Sequence, residues 1–404
     1  MLPESWRLLG LGDICQAKSG LQTGPFGSQL HASDYVEDGI PVVMPRDMIG
    51  GRISTRLIAR ITAAKAEEVA KHQLKLGDLV FSRRGDLGRF AVVGPENVGW
   101  ICGTGCMRAR LNDDALPDFI FCQLVTHGTV RWLESNAVGQ TMPNLNTEIL
   151  SQLPLRLPPL PEQQKIAAIL STWDRAIELT EKLIAAKQKR KQALMQQLLT
   201  GKVRLSGYTG KWKTWKAGDL FKPISKKNHP KERVLSVTQD QGVVYRDELD
   251  RKIAMNMDST GTYKLVEAGD FVISLRSFQG GLEMSRIRGI ASPAYHVIRS
   301  PVEIDREFFR HFFKSYEFIG RLAVAVIGIR DGKQISFDDF SFLKFSVPSV
   351  PEQNAISEFL NAAESEINTL RRKFTALMKQ KKGLMQQLLT GKVRVKVDVE
   401  AVKA

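Results

Sequence analysis

The chain has 404 residues, of which 43% are hydrophobic and 25% charged, with a net charge of +15 and a pI near 9.6. That length accommodates two or three cored domains, and the composition is ordinary for a soluble globular protein. No apolar run approaches a membrane span, and Pro3, Glu4 and Arg7 interrupt any signal-like start, so a cytoplasmic protein without membrane contact is expected.

The basic excess points to nucleic acid or another acidic partner, against the plainer reading of a charged, solvated surface. Cys15, Cys102, Cys106 and Cys122 lie in the first third with neither Cys-x-x-Cys nor a companion histidine pattern, which predicts reduced thiols and no zinc site.

In chain order, residues 1–157 read as a first globule. It opens on Trp6 and Gly12-Asp13, followed by a glycine-rich loop, Gly20 to Leu30, carrying Gln22, Thr23, Phe26 and Ser28. No Gly-Lys-Ser/Thr follows, so this is not a phosphate loop. A strand over Gly39–Met44 runs into Pro45-Arg46. A second strand, Leu79–Ser82, enters through a Gly77-Asp78 turn and empties into Arg83, Arg84 and Arg89 on a glycine loop. Arginines at a strand end suit guanine edges or phosphates; the alternative is a solvated turn. Phe119–Trp132 reads as one helix, and the polar loop Gly139–Asn146 carries Gln140 and Asn144.

Residues 158–204 read as a long helix and 205–347 as a second globule on the same plan. Trp212 and Gly218-Asp219 repeat the opening, and Gly269-Asp270 repeats the turn before a strand. Lys226 and Lys227 form a basic turn. Arg276, Ser277 and Gln279 occupy the place of the Arg83-Arg84 loop, where arginine and glutamine suit bidentate contacts to bases. Tyr295 sits in a polar turn. Phe308–Leu322 reads as an aromatic-rich helix that packs a core, and Arg330 and Lys333 precede a second long helix over 348–396, with a tail at 397–404.

The two long helices are a repeat. Pro161-Glu162-Gln163 matches Pro351-Glu352-Gln353, and the eleven residues Leu194–Arg204 are identical to Leu384–Arg394, all at one offset of 190. Proline followed by Glu-Gln suits a helix start and Thr-Gly a helix end. Ile356, Leu360, Ala363, Ile367, Leu370, Phe374 and Leu377, continued by Lys381, Leu384 and Leu388, form a heptad seam. Ile166, Leu170, Trp173, Ile177, Thr180, Ile184, Lys187, Lys191, Leu194 and Leu198 match it. Residues 181–204 net +6 and 371–396 net +9, whereas 351–370 carry four acids and no base. Parallel pairing would set the basic halves together, so an antiparallel coiled coil is predicted. The fold class is therefore α+β: two α/β globules and two long helices, with a pseudo-twofold internal repeat.

Catalytic signatures are missing. No Asn/Asp-Pro-Pro-Tyr/Phe run, Walker lysine or convincing Gly-x-Gly-x-x-Gly occurs, the six histidines lack metal spacing, and Asp250-Arg251-Lys252 is too common a tripeptide to make a nuclease. The Trp…Gly-Asp openings, the Thr23-Gly24-Pro25-Phe26-Gly27-Ser28 loop, the Pro-Leu-Pro-Glu-Gln-Gln helix start and the Leu-Leu-Thr-Gly-Lys ends resemble the specificity subunit of a type I restriction–modification system. The resemblance spans essentially the whole chain.

It implies a non-catalytic subunit with two target-recognition domains, each reading half of a split double-stranded DNA target. It further implies two modification subunits docked on the long helices, restriction/translocase subunits, and S-adenosylmethionine, ATP and Mg on those partners rather than here. Two different readers imply an asymmetric target, with half-sites about 10 bp apart if both enter one face of the major groove. The rival reading is a coiled-coil scaffold binding proteins only.

Overall fold

The computed structural model describes residues 2–139, 143–239, 241–249, 257–274, 277–326 and 335–397. It forms two compact units, one of Met1–Leu179 with Phe374–Ala404, the other of Thr180–Lys373. Each unit holds one globule and part of both long helices.

Those helices run over Leu160–Leu198 and Val350–Leu388, 39 residues each. They stop at the Thr-Gly pairs, as expected, where Gly201 (φ 70°) and Gly391 (φ 73°) take the left-handed conformation. The Gln197 and Leu198 carbonyls accept from the Val203 and Gly201 N–H groups at 3.2 and 3.3 Å, and the second helix repeats both bonds at 3.3 Å. Every residue of both heptad seams is buried or half-buried.

Within each unit the paired segments run antiparallel. In the first unit Asp174 meets Lys381 and Glu162 meets Arg394. In the second, Lys187 meets Glu366 at 2.6 Å, Lys191 meets Glu364 at 3.2 Å and Arg204 meets Glu352 at 2.5 Å. Residue numbers rise on one helix as they fall on the other, and the basic half of one faces the acidic half of its partner, as the charge pattern demanded.

Both globules share one strand order. In the first, Leu21–Thr23, Cys106–Ala109, Leu79–Ser82 and Phe90–Val92 lie side by side. In the second, Lys222–Ile224, His296–Arg299, Phe271–Ile273 and Glu283–Met284 do the same. A two-stranded pair closes each globule: Arg7–Gly10 on Pro154–Leu157, and Lys213–Lys216 on Lys344–Val347.

The Gly-Asp turns are formed as expected at Gly77 (φ 79°) and Gly269 (φ 92°). The following aspartates, buried, each take a bidentate arginine from the end of the neighbouring paired strand or just past it: Asp78 holds Arg110 at 2.7 and 2.8 Å, and Asp270 holds Arg299 at 2.6 and 2.9 Å. Gly12-Asp13 and Gly218-Asp219 instead lie in short helices, Leu11–Ile14 and Ala217–Leu220.

Two expected helices are broken. Phe119–Trp132 is Pro117–Leu124 and then His127–Asn136, with Thr126 Oγ1 accepting from Thr129 N–H at 3.4 Å. Phe308–Leu322 is Arg306–Phe312 and then Tyr316–Val326, with Ser315 Oγ accepting from Phe318 N–H at 3.3 Å. Hydroxyl caps compete locally with helix continuation, so an apolar pattern runs on where the backbone turns. Phe308, Phe309 and Phe313 are fully buried in the second core, as expected of that aromatic run.

Candidate nucleic-acid interface

In the first globule the glycine-rich loop is pinned from below. A Cβ on Gly24 would lie 1.8 Å from the Gly103 carbonyl, so only glycine allows that approach. Phe26 is 56% exposed, and its N–H donates to Gln29 Oε1 at 3.1 Å. The Arg83 guanidinium lies 5.8 Å from the Phe26 ring centre, and its Nε donates to the Leu145 carbonyl at 3.2 Å. Burial, then the neighbouring Arg84, lower the Arg83 pKa.

Arg84 is exposed and bridges the Asn144 backbone. Arg89 donates to Asp86 at 3.0 Å and to the Pro45 carbonyl at 3.5 Å, beside the exposed Arg46, whose Nη2 reaches the Leu57 carbonyl at 3.2 Å. Phe26, Arg83, Arg84 and Asn144 thus follow one another as a chain of neighbours, and Arg89 and Arg46 adjoin through Asp86 and Pro45.

Ser28 is exposed on the loop and Thr23 half-buried at its start. Gln22 turns inward, its Oε1 accepting from Arg108 Nη2 at 2.5 Å. Gln140 lies outside the described residues.

In the second globule Lys226 and Lys227 are exposed beside Asn228, which takes φ 66°. Gln279 is exposed and accepts from Gln239 Nε2 at 3.4 Å. Ser277 does not face solvent: it is buried, and its hydroxyl accepts from Ser274 N–H at 2.8 Å, fixing the turn behind Gln279. Tyr295 is half-buried against the Leu235–Val297 core, its carbonyl accepting from Lys264 Nζ at 2.6 Å. Arg276, Arg330 and Lys333 lie outside the described residues, as do residues 250–252.

A set of buried, charge-assisted contacts lies outside the expected site residues. Glu162, 3% exposed, takes Arg394 at 2.6 and 2.7 Å and Trp6 Nε1 at 3.1 Å. Glu352, 2% exposed, takes Arg204 at 2.5 and 2.7 Å. The adjacent Gln163 and Gln353 accept from the Leu116 and Asp305 N–H groups at 2.8 and 2.9 Å. The Glu-Gln at each helix start therefore ties helix to globule, a role beyond the helix dipole. The signal was present in the repeat itself, which ends on arginine and begins on Pro-Glu-Gln.

Among the described residues no group of three histidines, cysteines or acids could hold a metal, and no helix is long and apolar enough to cross a membrane. Burial disfavours the thiolate of the cysteines, pushing Cys15, Cys102 and Cys122 up to about 12.

Residues 3–187 match the family model of the type I restriction modification DNA specificity domain. Two Methanocaldococcus jannaschii chains named as type I restriction enzyme specificity subunits are similar along nearly their whole length. MjaX is 26% identical, over 98% of this chain and 95% of its own; MjaVIII is 26% identical, over 98% and 94%. Among solved structures, the HsdS subunit of Thermoanaerobacter tengcongensis superposes with a TM-score of 0.51 at 20% identity, covering 97% of this chain and 98% of its own. A chain from a structure of type I R-M complex assembly and conformational transition gives 0.60 at 17% identity, covering 97% and 100%. Repeated helices, matching globules and these relatives agree in supporting the specificity subunit of a type I restriction–modification system, whose DNA specificity domain residues 3–187 match.

Proposed function

We propose that the chain reads a bipartite, asymmetric DNA target and directs partner N6-adenine methyltransferase and restriction subunits to it. Residues 1–157 and 205–347 are the two target-recognition domains, and 158–204 and 348–396 the spacer helices on which two modification subunits dock. The chemistry resides on those partners, with S-adenosylmethionine, ATP and Mg, and the chain itself is non-catalytic and cytoplasmic. One observation carries the reading. The two globules share a strand order and a helix frame, yet place different side chains after the equivalent strand: Arg83 and Arg84 in the first, Gln279 in the second. A shared frame with unlike reading loops supports two unlike half-sites.

The test is a genome-wide map of N6-methyladenine in the source organism with and without this gene. Loss of one split, asymmetric motif on deletion is expected. An unchanged methylome in a strain whose modification subunits are active would sink the reading.

A further inference from the structure

The second unit contains a groove of about 760 Å³ between its long-helix segments and its globule, adjoining a second hollow of about 720 Å³. Six cations line the first: Lys189, Lys191, Arg286, Arg310, Lys314 and Arg371. Two carboxylates, Glu283 and Glu364, share the lining, and Glu307 beside it pairs Arg286 at 2.8 Å. Both acids are already engaged. Glu364 is held by Arg310 at 2.7 Å and Lys191 at 3.2 Å, and Glu283 by Lys314. Arg310 is braced further by Glu307 at 2.6 Å and Asn361 at 2.7 Å. Neutral amides complete the lining, among them Gln188, Gln192 and Asn368. A concave surface of guanidinium, ammonium and amide donors with its acids neutralised is chemistry for phosphate oxygens.

The groove is not a by-product of the repeat. The helix frame of the first unit has Lys381 and Asp174 where the second has Lys191 and Glu364. Its globule has Phe121 and Cys122 where the second has Arg310 and His311. There the Phe121 ring packs so tightly on Gly51 that a Cβ would lie 2.3 Å from Cζ. The first unit thus plugs with an aromatic ring the position that the second fills with a guanidinium. The groove also reaches the candidate reading loop, since Gln239 on its rim donates to Gln279.

We infer that this groove grips the phosphodiester backbone of DNA leaving the half-site read by the second globule, in a manner indifferent to base identity. The inference rests on the DNA-reading function proposed above. It makes the second half the anchoring half, with affinity supplied by phosphates and specificity by the loops.

The test is equilibrium binding of the full chain, with its modification subunits, to labelled duplexes across a salt series. One variant carries Lys189→Gln and Arg286→Gln. The control carries Lys379→Gln, the helix position that matches Lys189 in the first unit. The double variant is expected to flatten the plot of log affinity against log salt by about 2, roughly 0.9 for each phosphate no longer neutralised. The weakening should be equal for target and scrambled duplexes, base preference should be unchanged, and the control should keep the parent slope.

An unchanged slope in the double variant, with the parent binding DNA normally, would overturn the groove and leave the reading function standing. Loss of modification-subunit assembly without a slope change would mark the groove as a protein dock and overturn it likewise. Competition by a free mononucleotide with the slope unchanged would overturn the DNA assignment in favour of a soluble phosphate. No salt-dependent binding by the parent complex would instead fail the reading function itself.

Discussion

Arg108 is the largest fully enclosed side chain among the described residues, and it sits directly beneath the first reading loop. Its Nη2 donates to Gln22 Oε1 and to the Ser19 carbonyl at 3.2 Å, and among the described residues its Nε and Nη1 find no partner. The nearby Asp78 is already bidentate to Arg110. A buried cation held by neutral oxygens fixes the loop's floor at a cost in desolvation. Sequence reading gave no sign of it, because Cys106–Ala109 is buried on both faces and lacks the polar-apolar alternation that would place an arginine. His72 is buried nearby, and burial first, then the Lys71 charge, lower its pKa to about 4. The folded state therefore resists protonating His72 while the unfolded chain protonates near 6.5. Stability is unaffected above that pH and falls as pH drops from 6.5 towards 4, by up to about 3 kcal/mol from this residue. Urea melts at pH 7.5 and 5.0 should show the fall, and His72→Gln should recover part of it. His311, also lowered to about 4 by burial and Arg310, supplies a further share that His72→Gln leaves in place. Equal melts of parent and variant at both pH values would exclude His72 as a source.

At the scale of elements, the long helices were legible because heptad spacing, charge asymmetry and helix-end chemistry agree over 39 residues. The globules were legible only in outline. Their short strands show where a Gly-Asp turn introduces them, but the breaks at Thr126 and Ser315 depend on hydroxyl caps that an apolar pattern hides. Loop residues were placed with least fidelity, since Ser277 and Gln22 turn inward on partners that composition does not announce. The clasp at each helix end gives a test that distinguishes the two copies. Glu162 holds both Arg394 and the Trp6 indole N–H, whereas Glu352 holds Arg204, which also lies 5.6 Å from the Trp212 ring. Removing the arginine leaves Glu162 one strong donor but takes both charge-assisted bonds from Glu352. Arg204→Ala should therefore cost more than Arg394→Ala, with the former near the upper end of the ~1–3 kcal/mol expected for a buried acceptor losing its partner. Chemical denaturation of both variants checks the order; a larger destabilisation in Arg394→Ala would contradict it.

For the whole molecule, the repeat predicts a chain whose ends meet. In the first unit Arg394 Nη2 lies 3.1 Å from Ser5 Oγ, and a Cβ on Gly391 would lie 2.6 Å from Pro3 Cγ. The equivalent junction in the second unit is continuous chain, running from Arg204 through Leu205 to Trp212, with Arg204 already clasped to Glu352. Covalent continuity at one junction and a break at the other thus leave the same clasp in place. A permutant that joins residue 397 to Leu2 by a short Gly-Ser linker and opens between Leu205 and Ser206 interrupts no helix, strand or heptad seam. It should unfold cooperatively with a Tm within a few degrees of the parent, and it should restore the same methylation motif to a deletion strain. Opening the chain instead between Lys182 and Leu183 cuts the first long helix within its seam, and should abolish cooperative unfolding. Were both permutants to fail alike, the tie between the chain ends would be a passive neighbour contact, and the order in which the two halves are joined would itself be needed for folding.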